Sequence, residues 1–230
     1  MKKESLPAYE RTLSSARMHT YNDSIGVENT TQAFHLYEWN AQISAALFLP
    51  MQFCEVTVRN AISESIAHIY GNKWPWNSAF LRSLPNLGIY DPKKDIENAR
   101  EYYCKAKKKK VPRSQVSKVI PEISFKFWIQ MLTSRHDALI WNQQMTSAFP
   151  NAPQNLSVKE QRKSLNSRLD LIRLTRNRVA HNEPIFKNNI NELYFTIRDI
   201  ISWRCAETAE WVDEIQDVTR LYRDRPIFLR

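Results

Sequence analysis

The chain has 230 residues, enough for one generous domain or a core with appended helices, and 43% of them are hydrophobic, which excludes a chain disordered throughout. With 3 glycines, and 11 prolines falling mostly between apolar-periodic stretches, it reads as all-α. A net charge of +9 suits a polyanion, most often nucleic acid and less often an anionic membrane surface, or it serves plain solubility.

The N-terminal MKKESLPAYERTL has no apolar h-region, so no signal peptide is expected. Pro7 to Tyr21 predicts a short helix, followed by a polar turn at NDSIG. From Thr31 to Leu49, Phe34, Tyr37, Ala41, Ala45 and Phe48 recur at spacings of three and four, an amphipathic pattern. Pro50 kinks this helix or starts a new one. The apolar run Ile43 to Met51 is too short to span a bilayer, and no membrane association is expected. Gln52 to Tyr70 predicts a second long helix carrying Val56, Val58, Ile62, Ile66 and Ile69, with Gly71 closing it. KWPW and SLPNLGIYDP read as loop and short helix, and Asp91 and Asp95 open a charged helix that ends in a run of lysines.

Ser117 to Leu132 is densely apolar, and His136 to Phe149 predicts another helix. After a polar connection over Pro150 to Ser157, Ser157 and Glu160 form a capping box for a helix through Leu165, Leu169, Ile172 and Val179 to about His181. Pro184 prevents its continuation. Asn188 to Thr208 predicts the next helix, with Ile190, Leu193, Ile197, Ile200 and Ile201 apolar, and Ala209 to Tyr222 a last one. The expected plan is a helical hairpin early, a basic insert in the middle and a second hairpin late, four antiparallel helices burying one core. Cys54, Cys104 and Cys205 are odd in number and widely spaced, so neither disulfide nor zinc is expected, which fits the reducing cytoplasm.

The stretch LIRLTRNRVAHNEPIF, Leu171 to Phe186, concentrates Arg176, Asn177, Arg178 and His181 at a helix end. Cations there favour the helix dipole and cap its last carbonyls, and that role alone would account for His181. Arg176 and His181, five residues apart, stand about 140° apart round a regular helix. For both to serve one site, either the last turn unwinds before Pro184 or a second copy of the chain completes it. Glu55 and Arg59 are an i,i+4 pair on one helix face, an ordinary intrahelical ion pair in a generic helix. Asn60 beside them is a poor helix former and hints at a specific polar contact.

LTRNRVAHNEPIF resembles the R-x4-H signature of Abi-like abortive infection proteins, within the wider HEPN group. The stretch LYEWNAQISAALFLPMQFCEVTVRNAI is similar to that family's paired first helices, ending in its E-x3-R-N element at Glu55, Arg59 and Asn60. ISFKFWIQML and LIWNQQMTSAFP are similar to its middle segment. These segments span about Ser14 to Asn191, and the chain beyond about residue 205 matches only loosely. The resemblance implies one Abi-like HEPN domain over residues 1–230, an antiparallel helical bundle with additional helices, carrying a basic insert at about 91–120 and a C-terminal helical extension at about 205–230. It also implies a homodimer with the two motifs meeting at its interface, and a metal-independent endoribonuclease of bacterial phage defence.

In that reaction a 2′-OH of RNA attacks the adjacent phosphate. A histidine, here His181, moves the proton, and an arginine, here Arg176, stabilises the charge on phosphorus. Asn177 orients the phosphate or the histidine; Arg178, Glu55, Arg59 and Asn60 support the site. RNA is the expected substrate, and an RNA or a second protein the expected regulator. The alternative is a non-catalytic HEPN module that binds RNA or acts as a scaffold.

Lys105, Lys107, Lys108, Lys109, Lys110, Arg113 and Lys118 form a run without an acid, read as an RNA-backbone contact or a solvated face. Trp39, Trp128, Trp141 and Trp203 fall on apolar faces and read as core, whereas Trp74 and Trp76 in the loop remain open to base stacking. His19, His35, His68 and His136 lack partners at ligand spacing. No carboxylate cluster or Gly-rich phosphate loop is present, so no cofactor or metal is expected.

Overall fold

The computed structural model describes residues 2–25, 30–86, 88, 90–107 and 115–226, and every regular element among them is helical. The chain opens on α1 (Leu6–Leu13) and α2 (Ser15–Ile25). Helix does not run unbroken over Pro7 to Tyr21: it breaks at Ser14, whose φ is 75° and whose hydroxyl accepts the Arg17 N–H, and α2 then continues to Ile25.

The largest departure from expectation is α3 (Thr30–Tyr70), a single helix of 41 residues running straight through Pro50. The early hairpin does not exist. Pro50 removes one hydrogen bond and crowds the preceding turn, at a cost of about 3 kcal/mol. Burial outweighs it, because the apolar seam keeps phase across the proline. Leu36, Trp39, Ile43, Leu47, Met51, Cys54, Val58 and Ile62 are all buried at spacings of three and four, with Pro50 itself inside. Of the stripe predicted from Phe34 to Phe48, Phe34 is buried and Tyr37 half-buried, but Ala41 and Ala45 are exposed and Phe48 is 49% exposed. Likewise Val56 is largely uncovered while Val58, Ile62 and Ile66 are core.

The middle of the chain holds α4 (Ser78–Ser83), α5 (Pro92–Lys107), α6 (Val116–Val119) and α7 (Phe125–Met131). A π-helical turn at Asp137–Trp141 leads into α8 (Asn142–Ala148), so His136 to Phe149 is not one regular helix. Then come α9 (Val158–Ala180), α10 (Ile190–Arg204), α11 (Ala206–Ile215) and α12 (Val218–Arg223); a break near Gln216 splits the predicted last helix. The expected caps are present. Ser157 and Glu160 form the capping box of α9, and Gly71 closes α3 at φ +85°. The five isoleucines and leucines predicted for α10 are all buried.

α10, α2, α12, α9, α7 and α8 pack round α3, which is the axis of the bundle. By length and composition α3 holds a stretch apolar enough to cross a membrane, but its core face is covered by these helices. Trp74 is fully buried, stacked near Phe127 and edge-on to Phe80 and Trp128, so it is core and offers no base-stacking face, whereas Trp76 is half-buried. An ion pair unseen in the sequence joins α9 to the π-turn: Arg162 Nε lies 2.5 Å from Asp137 Oδ1, and Nη1 donates to the Leu132 carbonyl at 3.0 Å.

Candidate functional site

The candidate site is built on the C-terminal third of α9. The helix stays regular to Ala180 and ends in a Schellman motif. Asn182 takes the left-handed conformation at φ 56°; its N–H donates to the Val179 carbonyl at 3.0 Å, and the Glu183 N–H donates to the Arg178 carbonyl at 2.8 Å. Asparagine tolerates this conformation because its short polar side chain does. Arg178 completes the cap, donating to the Pro184 carbonyl at 3.1 Å and standing 3.5 Å from Glu183. The last carbonyls of α9 are met by backbone N–H groups, and the His181 side chain does not cap them. The His181 backbone N–H donates to the Asn177 carbonyl at 2.9 Å, while its imidazole is exposed and has no hydrogen-bond or ion-pair partner among the described residues.

Because α9 does not unwind, Arg176 and His181 diverge. Arg176 faces α3 and lines a cleft of about 320 Å³ with Phe48, Gln52, Glu55, Val56 and Arg59. Three residues singled out in the sequence, Glu55, Arg59 and Arg176, therefore meet across 117 positions of chain between Arg59 and Arg176. Glu55 and Arg59 form no ion pair with each other among the described residues. The Arg59 Nε is buried without a hydrogen-bond partner. Two guanidiniums against one carboxylate, one of them with an unmet donor, make the cleft attractive to an anion. His181, Asn177, Arg178 and Asn60 do not line it. Asn177 is half-buried and Asn60 is exposed.

Two residues without an assigned role in the sequence reading hold the turn after His181. The buried Asn40 accepts the N–H groups of Ile185 and Phe186 through Oδ1 at 2.8 and 3.1 Å. Arg17 Nη1 donates to the Asn182 carbonyl at 2.7 Å. Asn40 left a trace in the sequence: it falls in phase with Leu36, Ile43 and Leu47, a polar residue in an apolar seam. Arg17 left none. Lys105 and Lys107 stand on the last turn of α5, whereas Lys108, Lys109, Lys110 and Arg113 lie outside the described residues. No group of three or more His, Cys, Asp or Glu side chains suited to a metal ion occurs among the described residues. His136 is buried, and burial, then the charge of Arg135, pushes its imidazole down to about 4.

No curated protein and no solved structure matches the chain. One family does, that described as Abi-like protein, whose sequence pattern matches residues 5–187 and so takes in α3, the cleft, Arg176 and the His181 turn. With most of its length matched, including every residue of the cleft, the chain belongs to the Abi-like, abortive-infection family.

Proposed function

We propose that the protein is a metal-independent endoribonuclease of bacterial phage defence, acting in the cytoplasm as a homodimer. The observation that carries this reading is the cleft in which the Arg176 and Arg59 guanidiniums converge. Arginine pairs hold phosphate oxygens bidentately and stabilise the pentacoordinate charge that grows when a 2′-OH attacks. Glu55 positions the guanidiniums by charge. His181 takes the 2′-OH proton and returns one to the leaving 5′ oxygen, leaving a 2′,3′-cyclic phosphate. DNA has no 2′-OH and resists.

Within one chain Arg176 faces α3 and His181 faces solvent, so the proposal requires a second copy to bring the two together. The outer face of α9 supports it. Leu171 and Leu174 are each about half exposed there, and on helical geometry Leu174 and His181 share that face. The same divergence of Arg176 from His181 favours the competing reading, a non-catalytic RNA-binding module.

Purified wild-type and His181→Ala protein incubated with mixed RNA in EDTA separate the two. Cyclic-phosphate ends from wild type alone are the expected result. RNA bound but uncut by the wild-type protein sinks the enzyme reading.

A further inference from the structure

A second cleft, of about 250 Å³, continues the first along α3. Its α3 side chains, Tyr37, Asn40, Ala41, Ser44 and Ala45, and those of the first cleft, Phe48 to Arg59, lie on one helix face at spacings of three and four. The track they make is about 33 Å long at 1.5 Å per residue. Val179, Asn182 and Glu183 close the second cleft, so it sits beside the turn that carries His181.

The walls suit a flat heteroaromatic ring. Tyr37, half-buried and packed edge to face on the buried Tyr21 at 5.2 Å, offers one aromatic wall, and the floor is small, from Ala41, Ser44 and Ala45. The Glu183 carboxylate at the rim stands 3.5 Å from Arg178, and two other polar groups of the cleft, both able to donate, have no protein partner among the described residues. Asn40 uses Oδ1 on two backbone N–H groups, which fixes its amide and leaves Nδ2 with no protein partner among the described residues. Tyr21 is 1% exposed, yet its hydroxyl has no hydrogen-bond partner. Arg17 adds a guanidinium at the rim. A buried donor left unmet costs about 1–3 kcal/mol, so a ligand with acceptors at this edge gains by meeting it.

We propose that this cleft takes one unstacked base of the RNA, and that it selects a keto base, uracil or guanine, beside the phosphate held in the first cleft. Uracil and guanine offer carbonyl oxygens to the Asn40 and Tyr21 donors. Adenine and cytosine present an exocyclic amine at the corresponding edge, a donor that the Asn40 amide nitrogen cannot accept. The inference rests on the ribonuclease reading for its substrate, but its test does not depend on cleavage.

The test uses full-length His181→Ala protein and fluorescein-labelled hexa-adenylate RNA, plain or with one central U, G or C, titrated by anisotropy. The U or G oligomers are expected to bind at least about tenfold more tightly than the A and C ones. Tyr21→Phe removes only the unmet hydroxyl, and Ala41→Phe fills the cleft from an exposed helix position. Ala41→Phe is expected to erase most of that preference and Tyr21→Phe to lower affinity for the U and G oligomers, both leaving melting temperature and the salt dependence of binding unchanged. Equal affinities across the four oligomers, or a preference that survives Ala41→Phe, overturns the proposal. Tight binding of free uridine or guanosine monophosphate without base preference in the oligomers also overturns it, in favour of a nucleotide effector. Base preference retained while wild-type protein cuts no RNA supports the cleft and sinks only the nuclease. Cleavage without base preference does the reverse.

Discussion

Asn182 sets the direction of His181. At φ 56° it ends α9 and starts the turn that Arg17 and Asn40 hold from α2 and α3. Asn182→Gly is expected to change stability by no more than a few tenths of a kcal/mol, since glycine adopts this conformation freely. Asn182→Val is expected to lose about 1–2 kcal/mol, read as a lower urea midpoint, and to reduce RNA cleavage beyond what that loss explains. His181→Ala is expected to leave the melting temperature unchanged and lower cleavage by at least about 10²-fold. His136 gives a prediction in pH. Its imidazole binds a proton near 6.5 when unfolded and only near 4 in the fold. The unfolded state therefore binds more protons between these values. The stability held above pH 6.5 is lost as pH falls toward 4, by up to about 3 kcal/mol. Urea midpoints of wild type and His136→Leu, compared at pH 7.5 and 4.5, check it: the wild type is expected to lose more.

Among the elements, α3 shows how much periodicity reveals and where it stops. The sequence contains two apolar stripes on this helix, and spacing alone does not tell which is covered. The stripe through Ile43 and Leu47 meets neighbouring helices, while that through Ala41, Ala45 and Phe48 lines the two clefts. Ile43→Ala is expected to cost about 2–5 kcal/mol in chemical denaturation, and Ala45→Ser within about 0.5 kcal/mol. Similar losses at both positions would mean that the cleft face is buried in solution. The pairing of Arg162 with Asp137 was illegible in the sequence because its partners lie on separate elements and 25 positions apart. Arg162→Met is expected to lose about 3–5 kcal/mol by leaving a mostly buried carboxylate unpaired, a loss the urea midpoint measures.

At the scale of the whole molecule, the proposed function rests on charge and copy number. A chain of net charge +9 that binds RNA through phosphates loses affinity steeply with salt. Replacing Lys107, Lys108, Lys109 and Lys110 by Glu is expected to weaken binding. It is also expected to flatten the salt slope by about 0.7 for each phosphate of single-stranded RNA that is no longer neutralised. An unchanged slope assigns the run to a solvated face. Leu174→Asp on the outer face of α9 is expected to shift sedimentation from dimer to monomer and to abolish cleavage, with the melting temperature of the fold retained. A monomeric wild type that cuts RNA would refute the shared site.

The sequence by itself determined what is local. Helix content, the capping box at Ser157 and Glu160, the closure at Gly71 and the stop before Pro184 depend on residues a few positions apart, whose spacing is written in the chain. It also carried the family, through ordered segments around the arginine and histidine of α9. Tertiary structure decided what is shared between distant segments. Only packing against α10, α9 and α7 carries α3 through Pro50, because burial along both halves outweighs one missing hydrogen bond. Only the run of α9 beside α3 sets Arg176 with Glu55 and Arg59 and turns His181 outward, since a helix fixes the angle between its own side chains but not which neighbour each one meets.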